Sequence, residues 1–193
     1  MTATFERTSK RWRIAGWSTA VLLLLLPLLA MQVTREVAWS AGDFILFGAM
    51  LAVAGGTIEL AARKAGNIFY RAGAVVAVAA CFLLIWVNLA VGILGSDDND
   101  ANLLFAGVIA VAAGGAFAAR FRAAGLATAM IAAAAAQTLV GIIALAAGLA
   151  SPGPVGLYEV AVGTGLFGGL WLLSAWLFRT AAKRPPGASP QAE

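Results

Sequence analysis

The chain has 193 residues, 62% of them hydrophobic and only 11% charged, with a formal net charge of +4. A water-soluble domain carries roughly 25% charged residues, so this composition excludes a soluble globule and makes lipid the solvent. Histidine is absent and Cys81 is the single cysteine, which excludes an internal disulfide, His-ligated haem, iron–sulfur clusters and Cys/His zinc sites built within the chain.

In chain order, six apolar stretches reach the ~20 residues a helix needs to cross a hydrocarbon core. They are Ile14–Thr34, Gly42–Ala62, Ala72–Gly95, Asn102–Ala119, Ala124–Leu149 and Leu157–Phe178. Backbone groups in lipid must pair within their own segment and no strand alternation is present, so the expected class is all-α, a polytopic bundle of six transmembrane helices. The first stretch follows a basic lead and has the apolar centre VLLLLLPLLA, as a signal peptide does. It continues too long and lacks a small-x-small cleavage site, so it is expected to remain as a helix, kinked at Pro27. Residues 1–13 are then a basic tail, 14–179 the transmembrane domain, and 180–193, rich in proline and polar residues, a disordered tail.

Orientation follows from the basic residues. Arg7, Lys10, Arg11 and Arg13 lie before helix one, and Arg63, Lys64 and Arg71 between helices two and three. Arg120 and Arg122 lie between four and five, and Arg179, Lys183 and Arg184 after six; only Arg35 falls on the other side. The positive-inside rule puts both termini in the cytoplasm, and the charge is membrane topology rather than a nucleic-acid surface.

The densest polar segment, DDNDAN (Asp97–Asn102), is then an outer hairpin between helices three and four. Asp98, Asp100 or Asn102 is expected to cap helix four, Asp43 helix two, and Glu159 suits the start of helix six. A Ca²⁺ site at residues 97–100 is the less favoured reading, because the segment lacks the spacing, glycine and terminal Glu of an EF-hand loop.

Asp43–Gly66 aligns with Asn102–Gly125 at a constant offset, matching Gly48 with Gly107, Gly55-Gly56 with Gly114-Gly115, and Arg63 with Arg122. NLAVGIL (Asn88–Leu94) matches QTLVGII (Gln137–Ile143). The alignment implies a repeat in which helices 2–3 and 4–5 form parallel hairpins. Gly48, Ala52, Gly55 and Glu59 share one helix face, and so do Gly107, Val111, Gly114 and Ala118. Gly55, Gly56, Gly114 and Gly115 are expected at close helix contacts, with a ligand cleft as the lesser reading.

Few residues carry chemistry. Apart from Asp43 and Glu159 at the outer ends of their spans, Glu59 is the only acid within one; it is a candidate proton or cation site, but Arg63 four residues on favours a local ion pair. Asn88 and Gln137 occupy equivalent positions and read as interhelical hydrogen-bond glue, or as part of a permeation path. No nucleophile–base pair, P-loop or GxSxG is present. No catalytic, cofactor-binding or metal-binding residue is assigned.

Three segments together, ELAARKAGNIFYRAG, WVNLAVGILGSDDNDANLLF and ARFRAAGLATAM, resemble a family of small, uncharacterised, mostly proteobacterial inner-membrane proteins with several spans. The resemblance implies a bacterial inner-membrane location and supplies no activity. The expected role is a non-enzymatic structural or accessory membrane component. Its partners are membrane lipids and a partner subunit or second copy. The alternative is a small transporter or channel with a path near Asn88, Gln137 and Glu59.

Overall fold

A computed structural model describes residues 2–64 and 66–184. Its six α-helices are α1 (Thr2–Val33), α2 (Ala41–Lys64), α3 (Ile68–Ala90), α4 (Leu104–Ala118), α5 (Ala123–Ala146) and α6 (Pro154–Lys183), with a 3-10 turn at Asp100–Leu103 before α4. The described residues contain no strand. All six helices are long and apolar enough to cross a membrane, α4 when counted with its 3-10 turn, and the chain is a multi-pass all-α membrane protein.

Several boundaries differ from the sequence expectation. The expected basic tail of residues 1–13 is already helical from Thr2, and α6 runs on to Lys183, into the expected disordered tail. The rest of that tail, residues 185–193, lies outside the described residues. Pro27 sits inside the single helix α1.

The chain divides into two compact units, Met1–Arg63 and Lys64–Glu193. In the first, Ser40 caps α2. Its N–H and Oγ donate to Asp43 Oδ2 at 2.7 and 2.8 Å, and the Asp43 N–H donates back to Ser40 Oγ at 3.3 Å. This is a capping box in which the acid serves as the third helical residue and the serine as the cap. Trp39 stands edge-on to Phe44 and Phe47, with ring centroids 5.2 and 5.4 Å away, and holds the chain entering the helix. Along the α1–α2 contact, Gly48 meets Leu24, Gly55 meets the Trp17 ring, and Glu59 meets Arg13. The numbers on the two helices run in opposite directions in step, as antiparallel packing requires. The Gly48–Gly55–Glu59 stripe is thus the face α2 turns to α1.

The second unit packs α4 on α5, α5 on α6, and α6 on α3. Because α6 has neighbours on two sides, its buried residues spread over about half of its circumference, from Leu177 through Phe167 and Trp171 to Ala175 and Gly168. Small residues let the backbones approach. Phe178 lies over Gly73, whose Cβ position is 3.1 Å from the ring, and Gly141 abuts Thr164 and Val160.

Here α4 departs from the expected stripe. Its buried residues are Phe105, Val108 and Ala112, continued by Gly115, where a Cβ would come within 2.6 Å of Ala129 Cβ. Gly107 and Gly114 meet no atom within 4 Å. The contact face of α4 therefore lies one residue round from the face that matches α2. Of the four glycines expected at close contacts, Gly115 lies against Ala129 of α5, Gly55 meets only the end of the Trp17 ring, and Gly56 and Gly114 are open. The two open glycines are not equivalent in the alignment. A one-residue shift turns a helix face by about 100°, so similar sequences serve different neighbours.

Candidate functional site

The hairpin between α3 and α4 is built by asparagines. Helix α3 stops at Ala90, five residues short of the expected end, because Gly92 turns the chain at φ +69° and Ile93 and Leu94 fold back into the buried interior. Their exposed N–H groups need an acceptor there. Asn102 Oδ1 supplies it, taking both N–H groups at 3.0 Å, while its Nδ2 donates to Ser96 O at 2.6 Å. Asn102 is 8% exposed. It braces the loop rather than capping α4.

The cap is Asn99, whose Oδ1 accepts from the Ala101 N–H at 3.0 Å. Its Nδ2 donates to Leu94 O and Leu149 O at 2.8 and 2.9 Å, tying this hairpin to the end of the α5 segment. Asp97, Asp98 and Asp100 point outward and are exposed. The expected capping by Asp98 or Asp100 is corrected: a neutral amide both donates and accepts, which a carboxylate cannot, and the buried loop needs both. Among the described residues no group of three or more His, Cys, Asp or Glu side chains is placed to hold a metal. At α6, Gly153 is the cap residue and makes no side-chain cap; Glu159 instead accepts from Ser151 Oγ at 3.0 Å.

Glu59 belongs to the first unit. Its Oε1 receives Arg13 Nε at 2.6 Å and Arg63 Nη2, and its Oε2 receives the Trp17 indole N–H at 3.3 Å. The Arg63 pair is the one expected from spacing. Arg13 and Trp17 could not be paired with Glu59 by spacing alone, because they come from another helix.

Asn88 and Gln137 belong to the second unit, and neither makes an interhelical bond. Asn88 Nδ2 donates to Leu84 O of its own helix at 2.6 Å, and its buried Oδ1 has no partner. Gln137 is fully buried, at 0% exposed, and neither amide atom has a partner. From the contacts of Gly73 with Phe178 and of Gly141 with Thr164, equal helical rise sets Asn88 level with Gly163, toward the amino end of α6, and Gln137 level with Gly168, at its middle. Trp171, also fully buried there, has an unpartnered indole N–H.

The glue is made elsewhere. Ser174 Oγ donates to Gly73 O at 2.9 Å, joining α6 to α3. Asn67 caps α3 through Phe69 N–H and donates from Nδ2 to Arg184 O at 2.6 Å, beyond the end of α6. Tyr70 OH donates to Phe121 O at 2.9 Å, in the α4–α5 turn. The signals were present but weak. Ser174 is a small polar residue between apolar neighbours on α6, and Asn67 precedes a helix start.

Compared with known proteins, the chain matches no family model, no curated sequence and no solved structure.

Proposed function

We propose that this multi-pass protein is a non-enzymatic structural or accessory component of a bacterial inner membrane, with both termini in the cytoplasm. One observation carries the reading: four polar side chains that cross between segments of the second unit donate to backbone carbonyls. Ser174, Asn67, Tyr70 and Asn99 each lock a neighbouring segment in place. A hydroxyl already donating to a carbonyl inside a helix contact is not poised as a nucleophile. The pairing of Glu59 with two arginines likewise argues against a lone membrane carboxylate that carries protons.

The second reading, a small transporter or channel, is favoured by the amides of Gln137 and the indole N–H of Trp171. Buried polar groups left unpaired cost about 1–3 kcal/mol each, and a polar solute passing between the helices would offset that cost. The two readings separate cleanly by thiol access. In a Cys81→Ala background, cysteines at Asn88 and Gln137 are expected to resist a membrane-impermeant methanethiosulfonate added from either side. Rapid labelling would overturn the structural reading and establish a wet path. Gln137→Met removes the unpaired amide at similar volume. It is expected to leave the thermal midpoint in detergent level or raised, and a clear fall would show that the amide holds something.

The orientation rests on the basic residues gathered on one side. A reporter joined at Glu193 is expected to be active only in its cytoplasmic form, and one inserted at Asp98 only in its exported form. Export of the carboxyl-terminal reporter would overturn the arrangement.

A further inference from the structure

Among the described residues, the first unit carries an uncompensated charge at the membrane boundary. Arg13 begins one span and Arg63 ends the next, so both guanidiniums lie at the same membrane surface. They share a single carboxylate, Glu59. The acid is sheltered, at 17% exposed, while the Arg13 and Arg63 side chains are 54% and 60% exposed. Each guanidinium has five N–H donors and uses few of them on Glu59, so the cluster presents outward-facing donors and a net charge of +1.

An open groove of about 660 Å³ starts at this cluster and is lined by Arg13, Ile14, Trp17, Ser18, Val21 and Leu22. The lining positions come in pairs four residues apart and wind over one half of the α1 surface. From Arg13 to Leu22 the helix rises about 13 Å, close to half of a ~30 Å hydrocarbon core, which is one leaflet. Trp17 fixes the upper wall, with its ring on Gly55 and its N–H on Glu59. The whole feature is a basic head followed by an apolar channel one leaflet deep.

We propose that this is a binding site for an anionic phospholipid, with the phosphate on Arg13 and Arg63 and one acyl chain along the α1 groove. Guanidiniums recognise phosphate oxygens through paired N–H donors, and they do so in basic sites between transmembrane helices. Charge complementarity selects the class of lipid. A headgroup of net negative charge neutralises the surplus +1, whereas a zwitterionic one brings an amine whose natural partner, Glu59, is already held by both arginines. The site stands whether the protein is structural or a transporter.

The test uses the full chain in nanodiscs of phosphatidylcholine with a minority of phosphatidylglycerol, with the lipids that remain bound counted by native mass spectrometry. The wild-type protein is expected to retain phosphatidylglycerol over phosphatidylcholine by about fivefold, the effect of roughly one net basic charge near the surface. Glu59→Gln frees both arginines and is expected to raise that preference. The triple variant Arg13→Gln/Glu59→Gln/Arg63→Gln leaves no unpaired charge behind and is expected to bring the ratio to about one. Val21→Trp, which fills the groove and leaves the charges in place, is expected to reduce retention of both lipids. An unchanged ratio in the triple variant overturns the site. So does equal retention of the two lipids by the wild type, or full displacement of phosphatidylglycerol by millimolar inorganic phosphate, which would show an anion site with no use for the groove.

Discussion

Asn102→Ala is expected to lower the stability of the α3–α6 unit by about 2–6 kcal/mol, because it strands two buried N–H groups at about 1–3 kcal/mol each. Those groups, on Ile93 and Leu94, lie where the chain has left helix α3 and cannot reach water without withdrawing two buried side chains. The loss of the Nδ2 bond to Ser96 O loosens the same turn. The measurement is thermal or denaturant unfolding of the purified protein in mild detergent. Its companion is Asp97→Asn/Asp98→Asn/Asp100→Asn, which changes three exposed acids in the same loop and is expected to stay within about 0.5 kcal/mol per position. Equal damage from both variants would show that the acids hold the hairpin and that Asn102 has been given the wrong role.

The second large effect contrasts adjacent glycines. Gly115→Leu is expected to destabilise the second unit by about 1–3 kcal/mol through overpacking, since even a Cβ at this position falls 2.6 Å from Ala129 Cβ and 3.3 Å from Ala129 Cα. Helix α4 would have to lift away from α5. Gly114→Leu faces open space and is expected to be neutral, or slightly stabilising through the better helix propensity of leucine, which is worth under about 1 kcal/mol. The same pair examines the repeat. If the aligned faces packed alike, Gly114, the counterpart of the contact residue Gly55, would be the sensitive position. Unfolding midpoints that rank Gly114 as more sensitive would restore the symmetric arrangement.

Local information was enough for the membrane architecture. Lipid forbids unpaired backbone, so a run of about 20 apolar residues determines a helix regardless of its neighbours, and the six spans were legible from composition and length. The ion pair of Glu59 with Arg63 was legible too, because four residues in a helix bring side chains together without help from the fold. So was the stripe Gly48–Gly55–Glu59, since one helical face is a matter of spacing.

What only the tertiary structure decided is where each of those faces goes. Nothing in the spacing of α4 states that Gly115 rather than Gly114 meets α5, because both alternatives bury small residues and differ only in rotation about the helix axis. The hairpin shows the same division. The sequence by itself marks DDNDAN as a turn between spans, but the assignment of its jobs depended on Ile93 and Leu94 folding inward. Once those N–H groups were buried, only a side chain able to accept and donate together could complete the turn, and that made the asparagines structural and left the acids to the surface. Glu59 gained Arg13 and Trp17 from a helix more than 40 residues away. Gln137 was left buried without a hydrogen-bond partner for either amide atom. Spacing along one chain determines which groups share a face; which groups meet across faces is decided by packing, where close approach of small residues sets the register and polar atoms must take the partners that register offers.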